Sequence, residues 1–214
     1  MQIQAVIFDM DGLLIDSEPC WQEAGKETLL EWGHTLTTEQ YHHTTGLRTE
    51  EWIEHWFQHF NIDMKHKDDA VDIIMRKAID KIDKQAVLMD GANEIVAMAQ
   101  ERVKVGLATS SPMQLVEVVL PKLSLTKSID IISSAESLPY GKPHPQVYLN
   151  CAEKLGVNPL HCLAFEDSFN GMIAAKAARM KCVVVPAKND YEASKWLAAD
   201  YKLASLNEFS WDMI

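Results

Sequence analysis

The chain has 214 residues, of which 47% are hydrophobic and 24% are charged, and its formal net charge at pH 7 is −11. These proportions are typical of a globular protein that buries a sizeable core, as one large domain or as a core with a smaller insertion. The acidic balance argues against nucleic acid and anionic membrane surfaces as partners, because both require a basic binding face.

The first predicted element is a short strand, an apolar and β-branched run that starts at Ile3. A run this short is typical of a buried strand. It ends at Asp9, which is followed by Asp11 and by Gly12, where the chain can turn away at once. Two carboxylates at the end of a buried strand are costly to desolvate unless something neutralises them. A hard cation bound through oxygen ligands is the simplest partner.

Residues 17–87 change from a period of two residues to a period of 3.6, which predicts amphipathic helices. Glu18-Pro19 opens the first of these helices, since proline is favoured in a first turn. Most aromatic side chains of the segment fall on the apolar helix faces, so we expect them to pack inward. The segment therefore predicts a small helical unit.

From residue 88 onward, predicted strands and helices alternate. Such alternation is typical of the α/β class, in which helices cover both faces of a parallel sheet. Ligands of these sheets bind beyond the carboxyl ends of the strands. The predicted strands after the first cover residues 103–108, 129–133, 162–165 and 182–185, with a possible edge strand at 201–204.

The reactive side chains follow the same pattern. Six of them stand at the carboxyl ends of three strands, and a lysine lies in a loop stiffened by two prolines: Asp9, Asp11, Thr109, Ser110, Glu166, Asp167 and Lys142. Each group alone has a simpler explanation, such as a calcium-loop fragment, a helix cap or a solvated lysine. Together, acids and a lysine in one crevice predict a site for a metal ion and a tetrahedral anion.

The order and wording of these segments resemble the haloacid dehalogenase-like phosphohydrolases. The four matching motifs are Phe8-Asp9-Met10-Asp11-Gly12, Thr109, Lys142 and Glu166-Asp167. The resemblance covers the whole chain.

This resemblance implies a Rossmann-like parallel sheet with strand order 5-4-1-2-3 and a helical cap inserted between the first two motifs. The core domain would then comprise residues 1–16 and 88–214, and the cap domain would be the helical unit of residues 17–87.

The resemblance also assigns roles. Asp9 would be the nucleophile that forms an aspartyl-phosphate, and Asp11 the general acid and then the general base. Mg²⁺ would be held by Asp9, by Asp11 through its main-chain carbonyl, and by Asp167, with Glu166 as a further ligand or as support for one. Asp11, Glu166 and Asp167 together favour phosphoryl transfer over dehalogenation, which needs neither a metal nor a proton donor for an alcohol.

Substrate binding is implied for Thr109, Ser110 and Lys142, which would contact the phosphoryl oxygens. The cap would select the rest of the substrate. Its candidate contact residues are Glu18, Trp21, Gly46, Leu47 and Arg48. Arg48 could bind sugar hydroxyls or a second anion, or could be a solvated arginine at a helix entrance. Trp21 could equally belong to the core of the cap.

Longer stretches, at residues 8–19, 46–48, 135–148 and 166–172, resemble the bacterial hexitol/2-deoxyglucose-6-phosphate phosphatases. The expected function is hydrolysis of small sugar and polyol phosphates. β-Phosphoglucomutase is the nearest alternative, but Trp21 stands where that enzyme has a histidine that helps to delay hydrolysis. A non-catalytic binding module is a third hypothesis, and it would be expected to lack one of the motif acids or the lysine.

The cysteines are scattered, with no C-x-x-C pair: Cys20, Cys151, Cys162 and Cys182. This spacing favours buried, reduced thiols, as in the cytoplasm. No apolar run is long enough to span a bilayer, and no secretory signal pattern is visible. We therefore expect a cytoplasmic protein whose partner is a small phosphate ester. A monomer is expected, with a dimer through the tryptophan-rich face of the cap as the alternative.

Overall fold

A computed structural model describes residues 2–214, apart from the side chain of His42. Its centre is a six-stranded parallel sheet with the order β3-β2-β1-β4-β5-β6. The strands are β1 Ala5–Phe8, β2 Lys104–Thr109, β3 Ile131–Ser134, β4 Cys162–Glu166, β5 Lys181–Val184 and β6 Tyr201–Lys202. Counted from β5, the first five strands have the predicted order 5-4-1-2-3, and the α/β class is confirmed. The added strand β6 lies where the sequence suggested an edge strand.

Eight α-helices accompany the sheet in the described part of the chain. They are α1 Glu18–Leu30, α2 Thr38–His42, α3 Thr49–Phe60, α4 Lys67–Gln85, α5 Ala92–Gln100, α6 Met113–Lys122, α7 Gln146–Leu155 and α8 Phe169–Ala177. No helix in residues 2–214 is both long and apolar enough to cross a membrane.

Strand β1 is central and entirely buried. Its side chains alternate between two cores, one on each face of the sheet: Val6 and Phe8 pack into one, Ala5 and Ile7 into the other. Phe8 is in register with Leu107 of β2 and with Phe165 of β4. Parallel register of this kind brings the carboxyl ends of β1, β2 and β4 to the same edge of the sheet.

Helices α1–α4 all lie between β1 and α5, and we call them the cap helices. Helix α4 packs against both α1 and α3, and Trp52, Trp56 and Phe57 of α3 are buried. Lys81 of α4 forms ion pairs with Glu23 and Glu27 of α1. The cap helices thus share contacts of their own, as the helical pattern predicted.

The chain enters and leaves the cap helices at one place. Ile15 pairs with Leu88 in an antiparallel bridge, and Asp16 N–H donates to the Val87 carbonyl over 2.9 Å. Two adjacent connections of this kind are what a hinge between two domains would need. The division into a core domain (residues 1–16 and 88–214) and a cap domain (residues 17–87) is consistent with this arrangement and stays a prediction.

Candidate active site

A buried lysine links the carboxyl ends of the central strands. Lys142 Nζ donates to Asp9 Oδ1 and to Glu166 Oε1, each over 2.5 Å, and to the Ala108 carbonyl over 3.0 Å. The lysine side chain is 1% exposed. Since Asp9 follows β1, Ala108 lies in β2 and Glu166 ends β4, one ammonium group connects three strands.

The charge of this lysine is set by its two carboxylate partners. Burial acts to lower the pKa of Lys142, but the negative charges and hydrogen bonds of Asp9 and Glu166 outweigh burial and raise the pKa above its ordinary value. Lys142 is therefore a fixed cation at neutral pH.

Glu166 has donors on both carboxylate oxygens. Tyr148 OH donates to Oε1 over 2.7 Å, alongside Lys142, while the backbone N–H and the hydroxyl of Ser168 donate to Oε2 over 3.2 and 3.0 Å. A Cβ atom on Gly171 would lie 1.9 Å from this carboxyl group, so the residue must be glycine for Glu166 to pack against α8. These contacts favour Glu166 as a support for Lys142. Its direct binding to a metal stays a prediction.

Three acids converge beside this lysine. Carboxylate oxygens of Asp9, Glu166 and Asp167 all lie within 4.8 Å of one another. The turn after β1 permits this approach, because Gly12 has a φ of +77° and a Cβ there would lie 2.2 Å from Asp167 Oδ2. Burial raises the pKa of Asp9 and of Asp167 well above the ordinary value, with neighbouring carboxylates adding to the effect and Lys142 opposing it.

The acid cluster fits a hard divalent cation. Its donors are all oxygen atoms, and its carboxylates outnumber the one ammonium group that faces them. A bound cation would stabilise the ionised forms of Asp9 and Asp167, which burial disfavours. Mg²⁺ prefers such oxygen ligands and keeps part of its shell for water and phosphate.

Asp11 is oriented by three donors from different parts of the chain. Its Oδ1 accepts from Ser17 Oγ over 2.6 Å and from Trp21 Nε1 over 3.0 Å, and its Oδ2 accepts from Ser111 Oγ over 2.7 Å. Trp21 therefore contacts the expected general acid and faces the cavity. Nothing in the sequence pattern distinguished Ser17 or Ser111, beyond the run of hydroxyl residues that follows β2.

Thr109 ends β2 beside this site, and Ser110 follows it. Thr109 is buried, and its Oγ1 accepts from the Ser111 backbone N–H over 3.0 Å. The Ser110 hydroxyl donates to the carbonyl of Gly46 over 3.0 Å. Gly46 thus connects the loop before α3 to the core through its main chain.

Arg48 also connects the cap helices to the core. Its Nη1 donates to the carbonyls of Ala135 and Leu138 over 3.2 and 2.5 Å, and its Nη2 donates to Glu51 Oε1 over 2.8 Å. The same Glu51 oxygen accepts from the Gly141 N–H over 3.0 Å. The start of α3 is therefore fastened to the loop that leads to Lys142. Sugar or anion binding by Arg48 stays a prediction, but this geometry does not favour it because protein acceptors occupy Nη1 and Nη2, while Nε is buried without a partner among the described residues.

A cavity that is partly open to solvent lies between these groups and the cap helices. Its core wall includes Asp9, Asp11, Thr109, Ser110, Lys142 and Asp167. Its cap wall includes Glu18, Trp21, Thr45, Gly46, Leu47 and Trp52. Arg48 is not part of this lining, whereas every other residue predicted for the site either lines the cavity or, as Glu166 does, supports a residue that lines it.

Glu18 is the acidic residue of the cap wall. It lies in the first turn of α1. Burial raises the pKa of its carboxyl group from 4.5 to about 7, and the charges of Asp11 and Asp16 add to the effect. At higher pH, a desolvated carboxylate without a neighbouring cation lowers the stability of the folded protein, unless a bound ligand donates a hydrogen bond to it.

Comparison with known proteins agrees with this geometry. Residues 3–179 match the family described as haloacid dehalogenase-like hydrolase, and the chain belongs to that family. It is 44% identical over 211 residues to hexitol phosphatase B of Escherichia coli, which covers 98% of this chain and 95% of the relative. It is 31% identical to a phosphorylated carbohydrates phosphatase of Thermotoga maritima, over 89% of each chain.

Solved structures share the fold. The β-phosphoglucomutase of Clostridium difficile superposes with a TM-score of 0.88 over 99% of this chain and 95% of its own. Its sequence is 23% identical, so the likeness concerns the fold alone. The expected family and the hydrolase class are therefore confirmed.

Replacing Gly171 tests the packing of Glu166. In a helix, Gly→Ala ordinarily stabilises by about 0.5–1 kcal/mol. We expect Gly171→Ala to destabilise by about 2 kcal/mol instead, because the new methyl group would overlap the Glu166 carboxyl group. Urea unfolding measures the difference. An alanine variant as stable as the wild type would contradict this packing.

The raised pKa of Glu18 predicts a pH-dependent stability. Between pH 4.5 and about 7, the folded protein keeps a proton that the unfolded chain releases, so stability falls as the pH rises through this window. We expect Glu18→Gln, compared with the wild type in EDTA, to gain on the order of 2 kcal/mol between pH 5 and pH 8. Urea unfolding at both pH values measures this gain. An offset that is the same at both would contradict the raised pKa of Glu18.

Proposed function

We propose that the protein is a Mg²⁺-dependent phosphatase that hydrolyses small sugar and polyol phosphates through an aspartyl-phosphate. The substrates would include 2-deoxyglucose 6-phosphate and hexitol or hexose phosphates. The observation that carries the proposal is the Asp9 carboxylate, held at 2.5 Å from the Lys142 ammonium and beside Asp167 in a cavity. The 44% identity to a hexitol phosphatase over nearly the whole chain supports this choice of substrate.

Asp9 is the proposed nucleophile. Its carboxylate oxygen attacks phosphorus, the phosphorus–ester oxygen bond breaks, and Asp11 donates a proton to the departing alcohol. Water then attacks the aspartyl-phosphate while Asp11 takes its proton, and inorganic phosphate and free Asp9 result. Ser17, Trp21 and Ser111 support this role by holding the Asp11 carboxyl group at the cavity wall.

The charge on the transferring group has to be stabilised as well. Lys142 is a fixed cation whose position is set by Glu166, so it needs little reorganisation when a phosphoryl group arrives. The Thr109 hydroxyl and the Ser110 N–H are expected to bind phosphoryl oxygens. Mg²⁺, when held by Asp9, Asp167 and the Asp11 carbonyl, would neutralise charge between the nucleophile and the phosphate; Glu166 is a further expected ligand.

A phosphomutase is the alternative, and it must hold a second phosphate during its cycle. Among the described residues that line the cavity, Lys142 is the only lysine or arginine. Trp21 offers Asp11 an indole N–H, a group that neither accepts nor releases protons. Both features favour hydrolysis. A non-catalytic module is disfavoured because Asp9, Asp11, Lys142 and Asp167 are all present and line one cavity.

Product analysis separates the two reactions. We expect phosphorus NMR of a hexose 6-phosphate incubated with protein and Mg²⁺ to show inorganic phosphate and no isomerised ester. A sugar bisphosphate should not activate the reaction, since the described lining residues include no lysine or arginine besides Lys142. Accumulation of an isomerised phosphate ester would identify the protein as a mutase.

Removal of the nucleophile or the metal should abolish turnover. We expect Asp9→Asn to lower kcat by more than about 10³-fold, because no covalent intermediate can form. EDTA should stop the wild type, and added Mg²⁺ should restore it. The matched control is Asp90→Asn, an exposed aspartate at the cap connection, which should keep full activity. Phosphate release that survives both treatments would refute the mechanism.

Replacing Arg48 tests whether its guanidinium group only joins the cap helices to the core or also binds the sugar part of the substrate. We expect Arg48→Met to change KM by a similar factor for a hexose 6-phosphate and for an aryl phosphate without a sugar, because the guanidinium group binds protein carbonyls. Steady-state kinetics with both substrates provide the test. A loss confined to the sugar substrate would show that Arg48 binds the sugar after all.

A further inference from the structure

The cap wall of the cavity carries polar atoms that the reaction does not use. Trp52 is 6% exposed, and its indole Nε1 has no hydrogen-bond partner among the described residues. Thr45 Oγ1 is likewise buried and without a partner in the described part of the chain. Both residues line the same cavity as Asp9 and Lys142.

Unpartnered groups of this kind are costly. Most buried polar atoms in proteins have a partner, and leaving one without a partner typically costs about 1–3 kcal/mol. Other unpartnered atoms occur outside the cavity lining, such as Trp211 Nε1, so the location of Trp52 and Thr45 is what points to a ligand. A substrate hydroxyl group could accept a hydrogen bond from Trp52 Nε1 and form another one with Thr45 Oγ1.

Glu18 adds a hydrogen-bond acceptor to the two unpartnered atoms of Trp52 and Thr45. Its carboxyl group lies on the same wall, and among the described lining residues the only lysine or arginine is Lys142, which lies on the core wall and pairs with Asp9 and Glu166. A hydroxyl group can donate to Glu18 and accept from Trp52. A second phosphate or a carboxylate would instead be desolvated beside an acidic residue without a cation, which is unfavourable.

We propose that Glu18, Thr45 and Trp52 form a hydroxyl-binding subsite that selects an uncharged polyol or sugar chain at the far end of the substrate from the phosphate. This inference rests on the proposed phosphatase function and adds to it the residues that set specificity. The three side chains act on substrate selection, whereas the phosphoryl group is bound by the core wall.

The test compares substrates with and without hydroxyl groups. Sorbitol 6-phosphate carries a hydroxyl chain, and p-nitrophenyl phosphate carries none. We expect Trp52→Phe, which removes the indole N–H, to raise KM for sorbitol 6-phosphate about fivefold, and Glu18→Gln to raise it about tenfold. In Trp52→Phe, the kcat for both substrates and the KM for the aryl phosphate should change by less than about twofold, since the core wall is untouched. In Glu18→Gln, whose lost charge also acts on Asp11, the rise in KM for sorbitol 6-phosphate relative to the aryl phosphate is the diagnostic quantity.

Two further variants make the result interpretable. Trp211→Phe makes the same chemical change at a half-buried indole outside the cavity, whose Nε1 is buried without a hydrogen-bond partner among the described residues, and it should leave both KM values unchanged. Thr45→Val replaces the hydroxyl group by a methyl group of similar size, so it tests the subsite if the Trp52 variant fails to fold. It should raise KM for sorbitol 6-phosphate about threefold.

The outcomes separate the two proposals. A rise in KM confined to sorbitol 6-phosphate supports the subsite. If the Trp52, Glu18 and Thr45 variants leave KM unchanged, or impair both substrates equally, the subsite is wrong while the phosphatase function stands. A wild-type protein that hydrolyses neither substrate refutes the proposed function, and the subsite with it.

Discussion

The site depends on one buried ammonium group shared by two carboxylates. Lys142 would be costly to bury alone, and so would Asp9 or Glu166. Together they satisfy one another, and Tyr148 and Ser168 supply the remaining donors to Glu166. The excess of negative charge that remains suits a divalent cation. The network therefore positions the proposed nucleophile and leaves a net negative charge that the proposed metal ion would neutralise.

The connection between the cap helices and the core is built largely from main-chain groups. Arg48 reaches carbonyls of Ala135 and Leu138, and Ser110 donates to the Gly46 carbonyl. These contacts join the cap helices to the core at the cavity without adding Arg48 to its lining. Binding of the phosphate by the core and selection of the remainder by the cap can then vary independently, which suits a family with many substrates.

Much of this arrangement could be predicted from local sequence. The run that ends at Asp9 predicted its strand, and the alternation after residue 88 predicted the parallel sheet that gathers the strand ends. The contacts of Arg48 could not be predicted, because its acceptors lie about 90 residues away and depend on how α3 meets the core. The missing hydrogen-bond partner of Trp52 Nε1 could not be predicted either. A tryptophan at helical spacing has the same sequence pattern whether or not its N–H finds a partner in the fold.

Identification of the phosphorylated residue tests the central claim most directly. Wild-type protein would be mixed with a phosphate ester and Mg²⁺, quenched in acid within milliseconds, and its peptides examined by mass spectrometry. We expect phosphate on the peptide that contains Asp9, and a large reduction of this signal in Lys142→Met, where the cation that stabilises the transferring group is lost. Phosphate on a different residue, or an undiminished Asp9 signal in the lysine variant, would contradict it.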